Sequence, residues 1–338
     1  MKTNLLIIGT IVLALSSCSN NDNETQTQVQ NNSEYKLLTT SNTSGKVSYI
    51  DFLATTPTVK SFTIASTDAD GVYYDSDKDQ VILASRTNNK LEMYSALKTA
   101  ITSSATALNL ASSSTSDFNN PRETTISGDK IIVTQDQSAA NSNTNKILVY
   151  QKFDSGLISF NKSFTVNFKI WGIQMQGTTL YAVADLTGDL VVFENFLSNA
   201  SGAITPTKRI TIAGLVRSHG ITYSAADDKM ILTDVGVATS DTDGAIIVIS
   251  NFTSILNATP NGGTIAPTNQ LKISGPMSTL GNPVDVAYDD VSEKIYVAER
   301  LNAGGKVLTF NSPTSNSDVT PIDTRAEAGV SSVYLVRK

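Results

Sequence analysis

The chain has 338 residues, with 25 Lys and Arg against 31 Asp and Glu and a formal net charge of −6. That length holds two average domains or one large all-β unit. No Lys/Arg cluster stands out, which argues against a nucleic-acid partner. One histidine and one cysteine are too few for a zinc centre.

The N-terminus reads as a targeting segment. Lys2 precedes an apolar run at 5–15 (LLIIGTIVLAL), too short to span a bilayer as a mature helix. The run leads into Leu15-Ser16-Ser17-Cys18, which resembles a bacterial lipobox: small residues before a cut, then a thiol to carry a diacylglycerol. Residues 1–17 are expected to be a lipoprotein signal peptide, and Cys18 the lipidated residue. With no second cysteine, an exported chain has no disulfides and relies on packing. Acyl chains would hold it stably to a membrane, with the bacterial outer membrane the expected address, periplasmic or surface face. Residues 18–33 continue as a polar, low-complexity stretch (CSNNDNETQTQVQNNS) expected to be a disordered tether.

From 34 onward short β-rich runs alternate with Gly, Asn, Asp, Ser and Thr, and nothing reads as a long amphipathic helix. One segment type recurs: VILASR at 81, IIVTQD at 131, LYAVAD at 180, MILTD at 230 and IYVAER at 295, spaced by 50, 49, 50 and 65 residues. A weaker copy, YKLLTT, starts at 35. Before most copies lies a run opened by Gly or Pro, as in GVYY at 71, GIQM at 172, GITY at 220 and PVDVAY at 283. Turn-rich links such as DSDKDQ, SGDK, QGTT, SAADDK and DDVSEK join the two. A third run follows each copy, for example 90–94, 146–150 and 306–310, and a fourth alternates with period two, as in Phe164/Val166 and Ile210/Ile212. Four antiparallel strands about every 50 residues describe one blade of a β-propeller. Six blades fit between 34 and 338, with seven as the alternative. The last run, VSSVYLV at 330–336, is expected to pair with the N-terminal strands and close the ring. The long interval before the last copy is an excursion at 253–269, too short for a blade.

The stretches GNPVDVAYDDVSEKIYVAE (281–299) and SHGITYSAADDKMILTD (218–234) resemble the repeats of NHL and YVTN-type propellers and of the gluconolactonase/regucalcin-like group. The resemblance implies the propeller fold. It also implies that Glu, Asn and Asp side chains at the channel mouth hold a divalent metal. Asp234 fits that pattern, while the glutamate of the first blade and the opposing asparagines have no counterpart here.

In such a fold the residues before the inner strands and at the ends of the second strands meet at one mouth. That places Arg122, Trp171, Arg217, His219, Asp136, Asp185, Asp234, Glu299 and Arg300 at a candidate binding rim. His219 occupies the repeat slot that Trp171 fills one blade earlier. Asp185, Asp234 and Glu299 would be the ligands of Ca²⁺ or another divalent cation if they converged. Otherwise, an Asp at a strand end accepts backbone N–H bonds in the next turn. The Asp-rich run at 75–79 lacks the sixth-position Gly and twelfth-position Glu of a Ca²⁺ loop and reads as a turn, as does SDTDG at 240–244. No G-x-S-x-G or phosphate-binding Gly loop is present. The leading expectation is a monomeric, envelope-anchored, non-catalytic propeller without a cofactor, binding a protein or glycan partner. The alternative is a divalent-metal-dependent hydrolase.

Overall fold

The computed structural model describes residues 33–338. The expected signal peptide, the lipidated Cys18 and all but the last residue of the tether lie outside the described residues. Among the described residues no helix is long and apolar enough to cross a membrane.

Six sheets form six blades. From the axis outward, blade 1 consists of Val330–Arg337, Tyr35–Ser41, Lys46–Asp51 and Lys60–Thr63. Blade 2 holds Ala69–Asp75, Gln80–Ser85, Lys90–Ser95 and Leu110–Ser113, and blade 3 holds Pro121–Ser127, Lys130–Gln135, Asn145–Lys152 and Ile158–Val166. Blade 4 is built from Ile170–Gln176, Thr179–Ala184, Asp189–Phe193 and Lys208–Ile212. Blade 5 comprises Ser218–Ser224, Lys229–Asp234, Ala245–Ser250 and Leu271–Ser274; blade 6 comprises Pro283–Asp289, Lys294–Glu299, Lys306–Asn311 and Asp323–Ala326. The six inner strands pack side by side in chain order, with that of blade 1 between those of blades 6 and 2.

The turns between first and second strands explain the polar punctuation. Asp79, Asp228 and Glu293 adopt left-handed backbone there, and Gly128 and Gly177 fill the equivalent positions in blades 3 and 4. The 75–79 run is such a turn: Asp75 accepts the Lys78 N–H at 3.1 Å, and Asp79 accepts the Tyr74 hydroxyl at 2.9 Å. The 253–269 excursion supplies most of a short helix, Phe252–Ala258, and the strand Thr264–Ile265, which runs parallel to the outer strand of blade 4. Gly202–Ala203 covers the outer edge of blade 3 in the same way.

Closure follows the expected route. Val330–Arg337 pairs antiparallel with Tyr35–Ser41, with Leu37 opposite Leu335 and Leu38 opposite Tyr334. Blade 1 therefore takes its inner strand from the C-terminal segment, which completes its four-stranded sheet. Apolar layers between adjacent blades supply the core. Ile132, Ile147 and Phe164 of blade 3 pack with Ile173, Leu180 and Phe193 of blade 4, all essentially buried.

Each inner strand carries a bulge near its start, and the pairing registers align the bulges. The first bulge slot holds Ser331, Asp70, Arg122, Trp171, His219 and Val284 in blades 1 to 6. The second slot holds Ser332, Gly71, Glu123, Gly172, Gly220 and Asp285. Glycine is required where blades approach closely. A Cβ on Gly172 would lie 2.1 Å from the His219 carbonyl oxygen, and one on Gly220 would lie 2.8 Å from the Asp285 Cα.

Candidate functional site

Bulged backbone and strand ends bring the charged groups of blades 2 to 5 into one arc at the mouth. The Arg86 and Arg122 guanidinium groups each stand 3.8 Å from the Asp70 carboxylate. Arg122 continues to Asp136 at 3.2 Å. Lys169 bridges Asp136 at 3.6 Å and Asp185 at 3.2 Å. Asp185 then receives Arg217 Nε at 2.8 Å and His219 Nε2 at 3.1 Å. Charges of opposite sign thus alternate around more than half of the mouth, which is how a low-dielectric site holds them without isolated charge.

Trp171 and His219 sit inside this arc, 6% and 2% exposed. Their rings stack, and the Arg122 guanidinium lies over the indole with its central carbon 3.9 Å from the ring centroid. Blade order places the indole between the two neighbours. The buried Trp171 face is therefore already occupied and is not presented to a sugar. The equivalence of the Trp171 and His219 slots, expected from the repeat, is realised as contact between successive blades. Burial drives the His219 imidazole down to about 4, against the Asp185 carboxylate that would raise it. The ring is neutral at neutral pH, with Nε2–H donating to Asp185 and Nδ1 without a protein partner among the described residues. Burial also raises Asp185, but His219 and Arg217 outweigh it and hold that carboxyl well below the usual carboxylate range.

The three carboxylates considered as metal ligands have separate local roles. Asp234 accepts the N–H groups of Arg217 at 2.7 Å and of Val216 and Gly236 at 3.1–3.2 Å. Glu299 accepts those of Gly281, Asn282, Leu301 and Asn302 at 2.8–3.0 Å. Both organise the loops of their own blade, and Asp185 belongs to the ionic arc. Among the described residues no group of three or more His, Cys, Asp or Glu side chains is arranged to hold a metal ion. Arg300 sits at the blade 6 edge of the mouth. Its N–H donates to the Asn282 carbonyl at 3.0 Å, and its charge reaches Asp70.

Several residues of the mouth were not singled out by the sequence reading: Arg86, Lys169, Asp70, Glu123 and Asp285. Asp70, Glu123 and Asp285 are buried at the start of the channel. Burial pushes the Asp70 carboxyl up to about 6, although Arg86 and Arg122 pull the other way. Burial and then the Asp285 carboxylate push Glu123 well above its ordinary range. Burial also lifts Asp285 to about 7, against the N–H groups of Val333 and Val286 and the Ser332 hydroxyl that bond its carboxylate. The missed signal was alignment of PRETTI at 121–126 with WGIQM and HGITY, which exposes a glutamate in a glycine slot. Glu123 and Asp285 are among the residues lining a cavity of about 280 Å³ to which all six inner strands contribute.

No protein-family model matches the chain, and no curated protein matches it. Solved structures do. The fold is similar to that of a candidate 6-phosphogluconolactonase from Bacteroides uniformis, with a TM-score of 0.60, 11% identity, and 90% of this chain and 99% of that one covered. It is also similar to the periplasmic gluconolactonase PpgL of Pseudomonas aeruginosa, at TM-score 0.57 and 12% identity, covering 90% and 99%. A chain of the nidogen/laminin complex matches at TM-score 0.57 and 13% identity, covering 89% and 97%. At such identities the likeness establishes the propeller fold and leaves the activity to the site.

Proposed function

We propose that this protein is an envelope-anchored binding propeller, lipidated at Cys18, whose mouth takes a small oxygen-rich ligand such as an acidic sugar or a glycan end. One observation carries the reading. The Nε atoms of Arg86 and Arg122 are buried at the mouth without a protein acceptor among the described residues. A buried guanidinium N–H without an acceptor is costly, and carboxylate or hydroxyl oxygens of a ligand would satisfy it. The groups are recessed, which suits a glycan end better than a broad protein face.

A second reading, hydrolysis of a sugar lactone, is favoured by the names carried by the Bacteroides and Pseudomonas structures. On that reading the mouth binds the sugar and the channel below supplies acid and base. The donor set argues against a divalent metal in it, because Asp234 and Glu299 are committed to backbone N–H groups.

Thermal unfolding with D-gluconate, D-galacturonate and neutral glucose in millimolar excess tests the binding reading. Stabilisation by the acids and not by glucose, weakened in Arg86→Gln and Arg300→Gln, is expected. Equal, null responses to all three would dismiss it.

A further inference from the structure

Glu123 and Asp285 occupy the same structural slot in two different blades. That slot is glycine in blades 2, 4 and 5, where inner strands crowd each other, and Ser332 in blade 1. Carboxyls appear only in blades 3 and 6, which stand opposite each other in a six-membered ring. From these opposite blades the two side chains line the same cavity, and the Asp285 carboxylate acts on Glu123. Glu123 and Asp285 are 8% and 5% exposed. Two carboxyls buried in one cavity and acting on each other resist ionising together, so the pair retains one proton.

Local hydrogen bonds decide which member keeps it. Asp285 Oδ2 accepts the Ser332 hydroxyl at 2.9 Å and the Val333 N–H at 2.8 Å, and Oδ1 accepts the Val286 N–H at 2.7 Å. Glu123 receives one bond, from the Thr124 N–H to Oε1 at 2.7 Å. Three donors favour the anion on Asp285 and leave the proton on Glu123. The other charged groups facing the pair are Asp70 from blade 2, which adds negative charge, and Arg86, Arg122 and Arg300, which face Asp70 from the mouth.

We propose that Glu123 and Asp285 form an acid–base pair that opens a lactone or comparably activated ester held at the mouth. This inference rests on the hydrolase reading of the same site. Asp285 takes a proton from a channel water as the water oxygen bonds to the carbonyl carbon. The bond from that carbon to the ring oxygen breaks, and Glu123 gives its proton to the departing oxygen. The product is the hydroxy acid, and the pair regains its single proton by transfer from Asp285 to Glu123. No metal, oxidant or further reactant is needed. Positioned acid and base groups of this kind contribute about 10²–10⁴-fold in rate.

The experiment uses the purified protein with Glu123→Gln and Asp285→Asn, which keep side-chain size and one acceptor oxygen each. Infrared difference spectra at pH 7 should contain one protonated-carboxyl band that Glu123→Gln removes and Asp285→Asn shifts in frequency. Hydrolysis of glucono-1,5-lactone above the uncatalysed background, followed in a pH-stat, should fall at least 100-fold in each variant. Wild-type activity should follow a bell-shaped pH profile. Turnover that survives both substitutions overturns the proposal, as does a missing band. A wild-type protein that binds gluconate yet opens no lactone also overturns it, while leaving the binding reading of the mouth intact. Circular dichroism and retained gluconate binding in the variants separate loss of chemistry from loss of fold.

Discussion

The indole of Trp171 and the imidazole of His219 lie face to face, with centroids 3.6 Å apart and planes 6° from parallel. They come from equivalent slots of successive blades, so the stack fastens blade 4 to blade 5 at the mouth. Replacing Trp171 with Ala removes a buried aromatic and strips one face from both His219 and Arg122. The expected loss is about 3–5 kcal/mol. Urea titration measures it, and a loss below about 1 kcal/mol would mean the stack does not hold the blades together.

Asp185 is the shared acceptor of His219, Arg217 and Lys169. Asp185→Asn removes the charge and leaves two cations facing an amide. Breaking a buried pair on one side costs about 3–5 kcal/mol, so a clear drop in unfolding midpoint is expected. A variant as stable as the wild type would show that solvent screens this part of the arc.

Two opposed contributions to stability act over the same range of about pH 4 to 7, one rising and the other falling with pH. His219 has a folded value near 4 against an ordinary 6.5. Its contribution is present above 6.5 and lost as pH falls toward 4, because the unfolded chain then binds the extra proton. Asp70 and Asp285 are shifted the other way, from 3.8 to about 6 and about 7. Their contribution is full below about 4 and is lost as pH rises through 6 and 7. Glu123, also raised, adds to that decline. Midpoints measured from pH 4 to 8 should fall as pH rises, less steeply in Glu123→Gln and more steeply in His219→Gln. Unchanged curves in both variants would contradict the burial assigned to these groups.

Gly172→Ala places a Cβ 2.1 Å from the His219 carbonyl oxygen, against backbone that cannot rotate away. The inner strands of blades 4 and 5 would have to separate. Overpacking of this kind costs about 1–3 kcal/mol, and a backbone clash belongs at the upper end. A neutral outcome in calorimetry would mean that the two strands lie farther apart than described.

Asp234 and Glu299 serve as backbone acceptors, so calcium should not depend on them. Unfolding midpoints in EDTA and in millimolar Ca²⁺ are expected to coincide. A site filled at 100 times its dissociation constant would instead add about 2.7 kcal/mol. Asp234→Ala should cost about 1–3 kcal/mol by stranding the N–H groups of Val216, Arg217 and Gly236. A calcium-dependent midpoint abolished by that substitution would restore the metal reading.

The amino-acid sequence by itself determined the blades. Alternating apolar residues, turns with left-handed positions and a repeat near 50 residues leave antiparallel four-stranded units as the consistent solution, because each of these signals is local. Ring closure was legible too: VSSVYLV supplies the inner strand that YKLLTT lacks. The site was legible only in outline. Arg122, Trp171, His219 and Asp185 were placed at the mouth by their repeat slots, but their mutual contacts depend on the approach of neighbouring blades. Asp185 and Asp234 look alike in sequence, each ending a second strand; tertiary structure made one the hub of an ionic arc and the other a loop acceptor. Glu123 and Asp285 stand 162 positions apart and line one cavity only because six blades close a ring that sets blade 3 opposite blade 6. Their shared proton follows from burial and mutual repulsion, which exist only after closure.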